Sequence, residues 1–459
     1  MVRIAFHIDD EVLRSHFRTI CREVTTAGGR ALLVGGSVRD AALGFPVRDL
    51  DIEVYGFPPS RIRELLSKQF RLDLVGRAFP VLKVHDLPID ISIPWPRSAG
   101  LEAGELDDLW DPRVSVEEAA SRRDFTMNAM ALDPETQELI DPLGGFQDLG
   151  AKVLRHTSDK FGEDPLRVLR GMQLAARFDL TVAPETVEVC RLLSSQGLAT
   201  ERIFEEWKKL ILRGRRPSRG LGFLRDSGWL RDYPELEALI GCRQEPDWHP
   251  EGDVWIHTLH CMDAFAGERI GHDEEDLIVG LGVLCHDVGK PATTRIERDR
   301  ITSQGHEPAG EGPTRSFLER LTHQQGLIEA VVPLVMTHLR PQALYDARAG
   351  DSAIRRLARH AGRIDRLVRV ARCDQMGRPP RVFDGFPAGE WLLTRARALE
   401  VEQAAPKPLV MGRHLLDLGL PTGPRVGRIL EACYEAQLDG AFSTVEMGIE
   451  YAKRVIEKG

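Results

Sequence analysis

Apolar and polar residues recur with two periods along this chain, and the places where one gives way to the other outline its elements. Residues 9–27 set Val12, Phe17, Ile20 and Val24 at helical spacing and stop at Gly28-Gly29, which predicts an amphipathic helix and a turn. The short apolar run Ala31–Val34 then reads as a strand, Gly35-Gly36 as a tight turn, and Ser37 as the capping start of a helix. From Asp49 to Val54 acids and aliphatics alternate, so Leu50, Ile52 and Val54 face a core while Asp49 and Asp51 share the opposite face of a second strand. A helix is expected from about Pro59. LVGRAFPVLKVHDLPIDISI returns as paired strands, with Asp90 facing away from Ile89 and Ile91. Residues from about Ala183 to Ile240 combine apolar stripes with basic faces and are expected to be all-helical.

Composition narrows the class. The 459 residues allow about three domains at a prior of ~150 residues each. A hydrophobic share of 42% and a charged share of 29% belong to an ordinary globular protein. No apolar run reaches the ~20 residues of a membrane helix, and MVRIAFHIDDEVLRSHF turns acidic too soon for a signal peptide, so a cytoplasmic setting is expected. Seven scattered cysteines without a Cys-x-x-Cys pair read as reduced core thiols. A net charge of -9 speaks against nucleic acid, yet its distribution is uneven: arginines gather at Arg167–Arg177 and Arg213–Arg219, acids at Glu102–Asp111 and Asp273–Asp276.

Chemistry concentrates first around Gly35–Val54. Two adjacent carboxylates repel unless a cation joins them, and Mg²⁺ held by one or two carboxylates plus substrate phosphates is the natural guest. Gly35 and Gly36 let backbone N–H groups approach an anion at a helix start, and Arg39 adds a fixed positive charge. Asp90 either completes a carboxylate trio or is a solvent-facing strand acid; the pattern leaves both open. After the Pro-, Gly- and acid-rich loop PWPRSAGLEAGELDDLWDPR comes SRRDFTMNAMALD, in which Arg122 and Arg123 either grip phosphate and ribose oxygens, with Asp124 orienting one of them, or form a surface pair. In GEDPLRVLR, Asp164, Arg167 and Arg170 fall at i, i+3 and i+6 on one helix face. An Asp acceptor beside an Arg donor there suits the edge of a base, or a plain helix salt bridge.

GGSVRD, RDLDIEV, VGRAFPV, RRDFTMNAMALD and GEDPLRVLR, in that order, resemble the bacterial tRNA nucleotidyltransferases, the class II CCA-adding enzymes, and the related poly(A) polymerases of the DNA polymerase β superfamily. The resemblance implies an α+β fold: a nucleotidyltransferase head with a small mixed sheet over 1–150, then an all-helical neck and RNA-binding body over 151–242, a phosphohydrolase domain over 243–380 and a tail over 381–459. It implies Asp49, Asp51 and Asp90 as catalytic acids, the first two holding Mg²⁺. Nucleotide binding falls to Gly35, Gly36, Arg39, Arg123, Asp124, Asn128, Asp164, Arg167 and Arg170, with Asp164 and Arg167 reading CTP or ATP as a protein template. The implied partners are the tRNA 3′ acceptor end, CTP and ATP, with no membrane, in a monomer or homodimer. Two features depart from the family: Gln173 stands where many members have an Arg, and Ile93-Pro94-Trp95-Pro96 precedes Arg97, followed by an acidic loop. That loop region governs the switch from C to A addition, which leaves CC, A or full CCA addition open.

Beyond CRQEPDWHPEGD, His257, His286-Asp287, His306, His338 and Asp374 mix imidazole and carboxylate donors as a divalent metal with bound water requires. HPEGDVWIHTL, LCHDVGK and GHEPAGEG resemble the HD-family metal phosphohydrolase domain of enteric-type CCA-adding enzymes, which carries phosphatase and 2′,3′-cyclic phosphodiesterase activity. By that resemblance His257, His286, Asp287 and Asp374 are ligands of a divalent transition metal or Mg²⁺, His306 and His338 lie near the open face, and Lys290 binds phosphate. The tail reads equally as a tRNA-elbow contact or a dimer surface. Two rival functions remain: a poly(A) polymerase, and an HD phosphohydrolase whose head binds nucleotides or RNA without catalysis.

Overall fold

A computed structural model describes residues 2–75, 81–94, 107, 110–298 and 300–458. Residues 76–80 of the VGRAFPV motif, Trp95-Pro96, Arg97 and most of the acidic loop after Asp90 lie outside the described residues. The chain opens with α1 (Glu11–Thr26), capped by Asp10, whose Oδ1 accepts the Val12 and Leu13 N–H groups at 2.8 and 3.0 Å. Its buried stripe is Leu13, Phe17, Ile20, Cys21 and Val24, whereas the expected Val12 is 58% exposed. The correction is one of phase: Leu13, four residues before Phe17, continues the stripe, and Val12 points off it.

The head is built on one mixed sheet. In chain order follow β1 (Arg30–Val34), α2 (Gly36–Ala42), β2 (Leu50–Tyr55), α3 (Pro59–Leu66), β3 (Leu72–Val75), β4 (Val81–Val84) and β5 (Ile89–Ser92). Then come α4 (Val116–Ser121), β6 (Ala131–Leu132) and β7 (Leu139–Ile140), giving the strand order β3-β4-β5-β2-β1-β6-β7. The β2–β5 pair is parallel and its neighbours are antiparallel. Alternation in β2 buries Leu50, Ile52 and Val54 completely and leaves Asp51 on the other face, as the period-two pattern requires. Past α5 (Gly145–Gly150), the two-residue strands β8 (Val153–Leu154) and β9 (Thr181–Val182) pair in parallel around α6 (Leu166–Phe178), which ends at Asp179 in the left-handed region.

Packing divides the chain into two compact units: Met1–Leu198 with Gly222–Trp229, and Ala199–Leu221 with Leu230–Gly459. Residues 151–242 are therefore shared between both units. The stretch 183–240 is helical throughout its regular elements. The second unit is helical apart from an unanticipated hairpin, Arg295–Glu297 with Arg300–Thr302, whose alternation in RIERDRIT is a strand signal. Its last helices, Pro424–Leu438 and Val445–Lys458, close a small core around Leu415, Ile429, Cys433, Phe442 and Ala452. All seven cysteines are unpaired. Among the described residues no helix is long and apolar enough to cross a membrane.

Candidate active sites

The first site forms where β1 ends. Gly35 has φ +68°, and a Cβ there would stand 3.2 Å from Asp51 Oδ2 and 3.4 Å from Arg123 Nη1, so only glycine lets the chain turn against these groups. Ser37 is not the helix cap; that position is Gly35. Buried in the first turn of α2, Ser37 Oγ instead donates to Asp49 O at 2.8 Å and accepts Asp51 N–H at 3.2 Å, pinning the helix to the acidic strand. Asp49 sits exposed just before β2, and Asp51 is half-buried within it. On the parallel neighbour Asp90 is the register partner of Asp51, and Lys83 Nζ of β4 donates to its two carboxylate oxygens at 3.0 and 2.9 Å. Burial pushes the Asp51 carboxyl up, the charges of Asp90 and Asp49 add to this, and Arg123 and Lys83 oppose it. All-oxygen donors crowded in a partly dewetted cleft fit a hard divalent ion. A cavity of about 380 Å³ is lined by Gly36, Arg39, Asp49 and Asp51, and also by Arg48 and Arg177, which were not foreseen. Arg177 follows Arg170 by seven residues on α6, a helical spacing that the sequence already carries.

A buried polar relay backs this cavity. Arg39, 5% exposed, donates from Nε and Nη2 to Asp40 Oδ1 at 2.9 and 2.7 Å and from Nη1 to Asn128 Oδ1 at 2.8 Å, with the Phe178 ring centroid 4.5 Å from its guanidinium carbon. Asn128 Nδ2 donates to Asp124 Oδ1 at 3.1 Å, and Arg170 donates to Asp124 Oδ2 from Nε at 2.8 Å. Burial alone would raise the Asp124 carboxyl; Arg170, Asn128 and the Phe125 N–H hold it below the usual range. Asp124 thus orients Arg170, and not Arg122 or Arg123 as expected. Its carboxylate turns inward, while Arg123 Nη2 is held by Glu53 at 2.9 Å and Arg122 by Glu163 at 3.0 Å. Glu53 was missed, although it continues the Asp49–Asp51 face by one more period of two.

At the start of α6, Asp164 Oδ1 accepts Leu166 N–H at 3.1 Å. Arg167, 7% exposed, donates to Lys160 O at 2.9 Å and Arg122 O at 2.5 Å. Asp164 precedes α6 in extended backbone (φ -133°, ψ 100°), off the helix face on which it was expected with Arg167 and Arg170, and the Arg167 guanidinium serves backbone carbonyls. Gln173 is buried, and its Oε1 has no hydrogen-bond partner among the described residues.

In the second unit every expected ligand converges. His257 comes from the helix Val254–Gly267, His286 and Asp287 from the end of Asp273–Cys285, and Asp374 from Ile364–Met376. His257 Nε2 lies 3.1 Å from Asp374 Oδ1 and 3.2 Å from His286 Nε2. A second group joins His306 Nε2 and His338 Nε2, 3.3 Å apart, to Asp287 Oδ1 at 3.4 and 3.8 Å. Tautomers follow from the outer shell. His286, His306 and His338 turn Nδ1 to the carbonyls of Val283, Ser303 and Val335 at 2.7, 2.8 and 2.7 Å, and His257 Nδ1 faces Glu251 Oε1 at 2.7 Å and Gly377 O at 3.1 Å. Carbonyls only accept, so Nδ1 carries a proton in each ring, and Nε2 is the nitrogen turned toward its neighbours, a ligand atom wherever the ring is neutral. Burial pushes His338 down to about 3, which keeps it neutral. Neither Asp287 oxygen has a well-oriented donor among the described residues, although Lys290 Nζ stands 2.8 Å from Oδ2. Imidazole nitrogens and carboxylate oxygens gathered in a dry interior fit divalent cations. Glu251, Cys261 and Arg378, the last donating to Asp374 Oδ1 at 2.6 Å, also reach this site and were not singled out from the sequence.

Residues 31–155 match the family model of the poly A polymerase head domain. The chain is 37% identical over 369 residues to the multifunctional CCA protein of Laribacter hongkongensis, covering 78% of this chain and 87% of that one. It is 35% identical over 417 residues to that of Stenotrophomonas maltophilia, covering 87% and 96%. Among solved structures, the Bacillus stearothermophilus CCA-adding enzyme in complex with CTP superposes with a TM-score of 0.64 at 21% identity, covering 98% of this chain and 100% of that one. The Thermotoga maritima CCA-adding enzyme complexed with tRNA gives 0.58 at 19%, covering 99% and 100%. At these identities the superpositions speak for the fold.

Proposed function

Because the chain belongs to the bacterial multifunctional CCA proteins, the CCA-adding tRNA nucleotidyltransferases, we propose that its head adds C and A from CTP and ATP to the tRNA 3′ end, and that its HD cluster hydrolyses phosphate esters. The observation that carries the first half is the in-register pair Asp51–Asp90 beside the Gly35 turn.

In this reading the backbone N–H groups at Gly35 and Gly36 and the Arg123 guanidinium, fixed by Glu53, hold the triphosphate over Asp49 and Asp51. Arg39 and Arg170 keep the floor of the site rigid through Asn128 and Asp124. Mg²⁺ carried by Asp49 and Asp51 supplies positive charge to the attacking and leaving oxygens when bound. Asp90 takes the proton of the tRNA 3′-hydroxyl as that oxygen attacks the α-phosphorus, and pyrophosphate leaves. Base reading by Asp164 and Arg167 requires Arg167 to exchange the Lys160 and Arg122 carbonyls for the base edge.

At the HD cluster, His257, His286 and Asp374 would hold one divalent ion, and Asp287, His306 and His338 a second. Such ions lower the pKa of water and polarise phosphoryl oxygens when bound. Lys290, already beside Asp287, is placed to meet a phosphate oxygen. Seven unpaired thiols suit a cytoplasmic setting.

The test uses tRNA transcripts ending before CCA, after C and after CC, with labelled CTP or ATP. Incorporation is expected to vanish in Asp51→Ala and persist in Asp287→Ala, while opening of a 2′,3′-cyclic phosphate end to the phosphomonoester shows the opposite dependence. Incorporation that survives Asp51→Ala overturns the head assignment, and long A runs favour the poly(A) polymerase reading.

A further inference from the structure

We propose that Cys261 is a sulfur ligand of the metal in the HD cluster, and that its thiolate makes the site select a transition ion such as Zn²⁺ or Co²⁺ over Mg²⁺. The proposal rests on reading that cluster as a metal centre. His257 and Cys261 lie four residues apart on the helix Val254–Gly267 and so project from one face, one turn apart. Cys261 is fully buried, and its Sγ stands 3.3 Å from His257 Nε2, the same nitrogen that lies 3.2 Å from His286 Nε2 and 3.1 Å from Asp374 Oδ1. These four side chains converge as one donor group.

The spacings have a geometric meaning. A tetrahedral ion about 2.0–2.1 Å from nitrogen and about 2.3 Å from sulfur separates its donors by roughly 3.3–3.6 Å. The three separations that meet at His257 Nε2, 3.1, 3.2 and 3.3 Å, fall within a few tenths of an ångström of such edges, and all four donor atoms lie within 4.8 Å of one another. Independent support comes from the imidazoles: the outer-shell acceptors fix the Nδ1 protons of His257 and His286, so their two Nε2 atoms and a carboxylate oxygen point at the place the sulfur faces. Room for the sulfur is provided by Gly377, where a Cβ would come within 2.2 Å of Sγ. Soft thiolate donors favour Zn²⁺ and its transition-metal neighbours, whereas Mg²⁺ seeks oxygen. Binding breaks the S–H bond, forms an S–metal bond and releases the proton to solvent.

The experiment takes the full-length chain, stripped by a chelator and titrated with Co²⁺ alone. A near-ultraviolet sulfur-to-cobalt charge-transfer band is expected in the unmodified chain and in Cys373→Ser, a control at another buried thiol, and its loss is expected in Cys261→Val. Zinc-loaded unmodified protein is expected to show a sulfur scatterer at about 2.3 Å in X-ray absorption; this decides the matter even if Cys261→Val does not fold. Stoichiometric Co²⁺ with only nitrogen and oxygen ligands overturns the proposal and leaves the metal centre standing. Absence of stoichiometric binding at the cluster overturns both.

Discussion

Asp51 and Asp90 occupy matching positions on the two parallel strands of the head, and Lys83 across the next ladder holds the Asp90 carboxylate from the side away from Asp51. The asymmetry leaves Asp51 as the strained partner: burial, then Asp90 and Asp49, raise its carboxyl. A raised folded value means that ionisation opposes folding. The penalty is absent below the ordinary carboxylate value near ~4 and grows as pH climbs through the folded value. In a chelator at neutral pH, Asp51→Asn is therefore expected to be as stable as the parent or more so, by up to about 1 kcal/mol, by urea denaturation. Its incorporation of labelled CTP with Mg²⁺ is expected to fall by at least about 10²-fold.

Gly35→Ala tests the turn. The new methyl would meet Asp51 Oδ2 at 3.2 Å in a backbone conformation at φ +68°. A stability loss of about 1–3 kcal/mol is expected from the strain, with a larger proportional loss of nucleotide incorporation than of 2′,3′-cyclic phosphate opening. Equal losses in both would mean that the variant merely unfolds.

The division between what could and could not be read from the sequence follows the range of each interaction. Residues two apart on β2 and four apart on α1 obey local geometry, so the acidic face and the buried stripe were legible, with Val12 misassigned by a single residue of phase. Partners of side chains were not. Asp124 could be seen to need a cation, but whether it takes Arg123 next to it or Arg170, 46 residues on, depends on α6 packing beneath the head. The four histidines and two aspartates of the HD cluster were legible as donor types. Glu251 and Cys261 were not, because an acid before a helix and a cysteine within one are ordinary until the fold turns them to His257.

Asp124 supplies the opposite pH dependence to Asp51. With its folded carboxyl held low by Arg170 and Asn128 despite burial, its stabilisation is fully present above the ordinary carboxylate value and fades as pH falls through the folded one. The urea midpoint gap between the parent and Asp124→Asn is expected to be widest at neutral pH and to narrow below about pH 4. Asn128→Ala, which removes a partner from both Arg39 and Asp124, is expected to cost about 1–3 kcal/mol, with a weaker pH dependence of the same sign, because Arg170 still holds the Asp124 carboxyl low.

Glu251 carries the last prediction. Its Oε1 faces His257 Nδ1 at 2.7 Å and also His249 Nδ1 at 2.8 Å. Burial pushes the carboxyl up, but these hydrogen bonds bring it to about 2. It is then ionised throughout the range in which the imidazoles titrate, and acts as a fixed anion that orients His257 and raises its basicity. Glu251→Gln keeps the shape and removes the charge. Metal affinity of the HD cluster is expected to fall about 10–100-fold in competition with a chelating dye, while CTP incorporation by the head is unchanged. Gly377 O, 3.1 Å from the same nitrogen, is the alternative anchor; unaltered affinity in Glu251→Gln would assign the tautomer to that carbonyl alone and remove Glu251 from the centre.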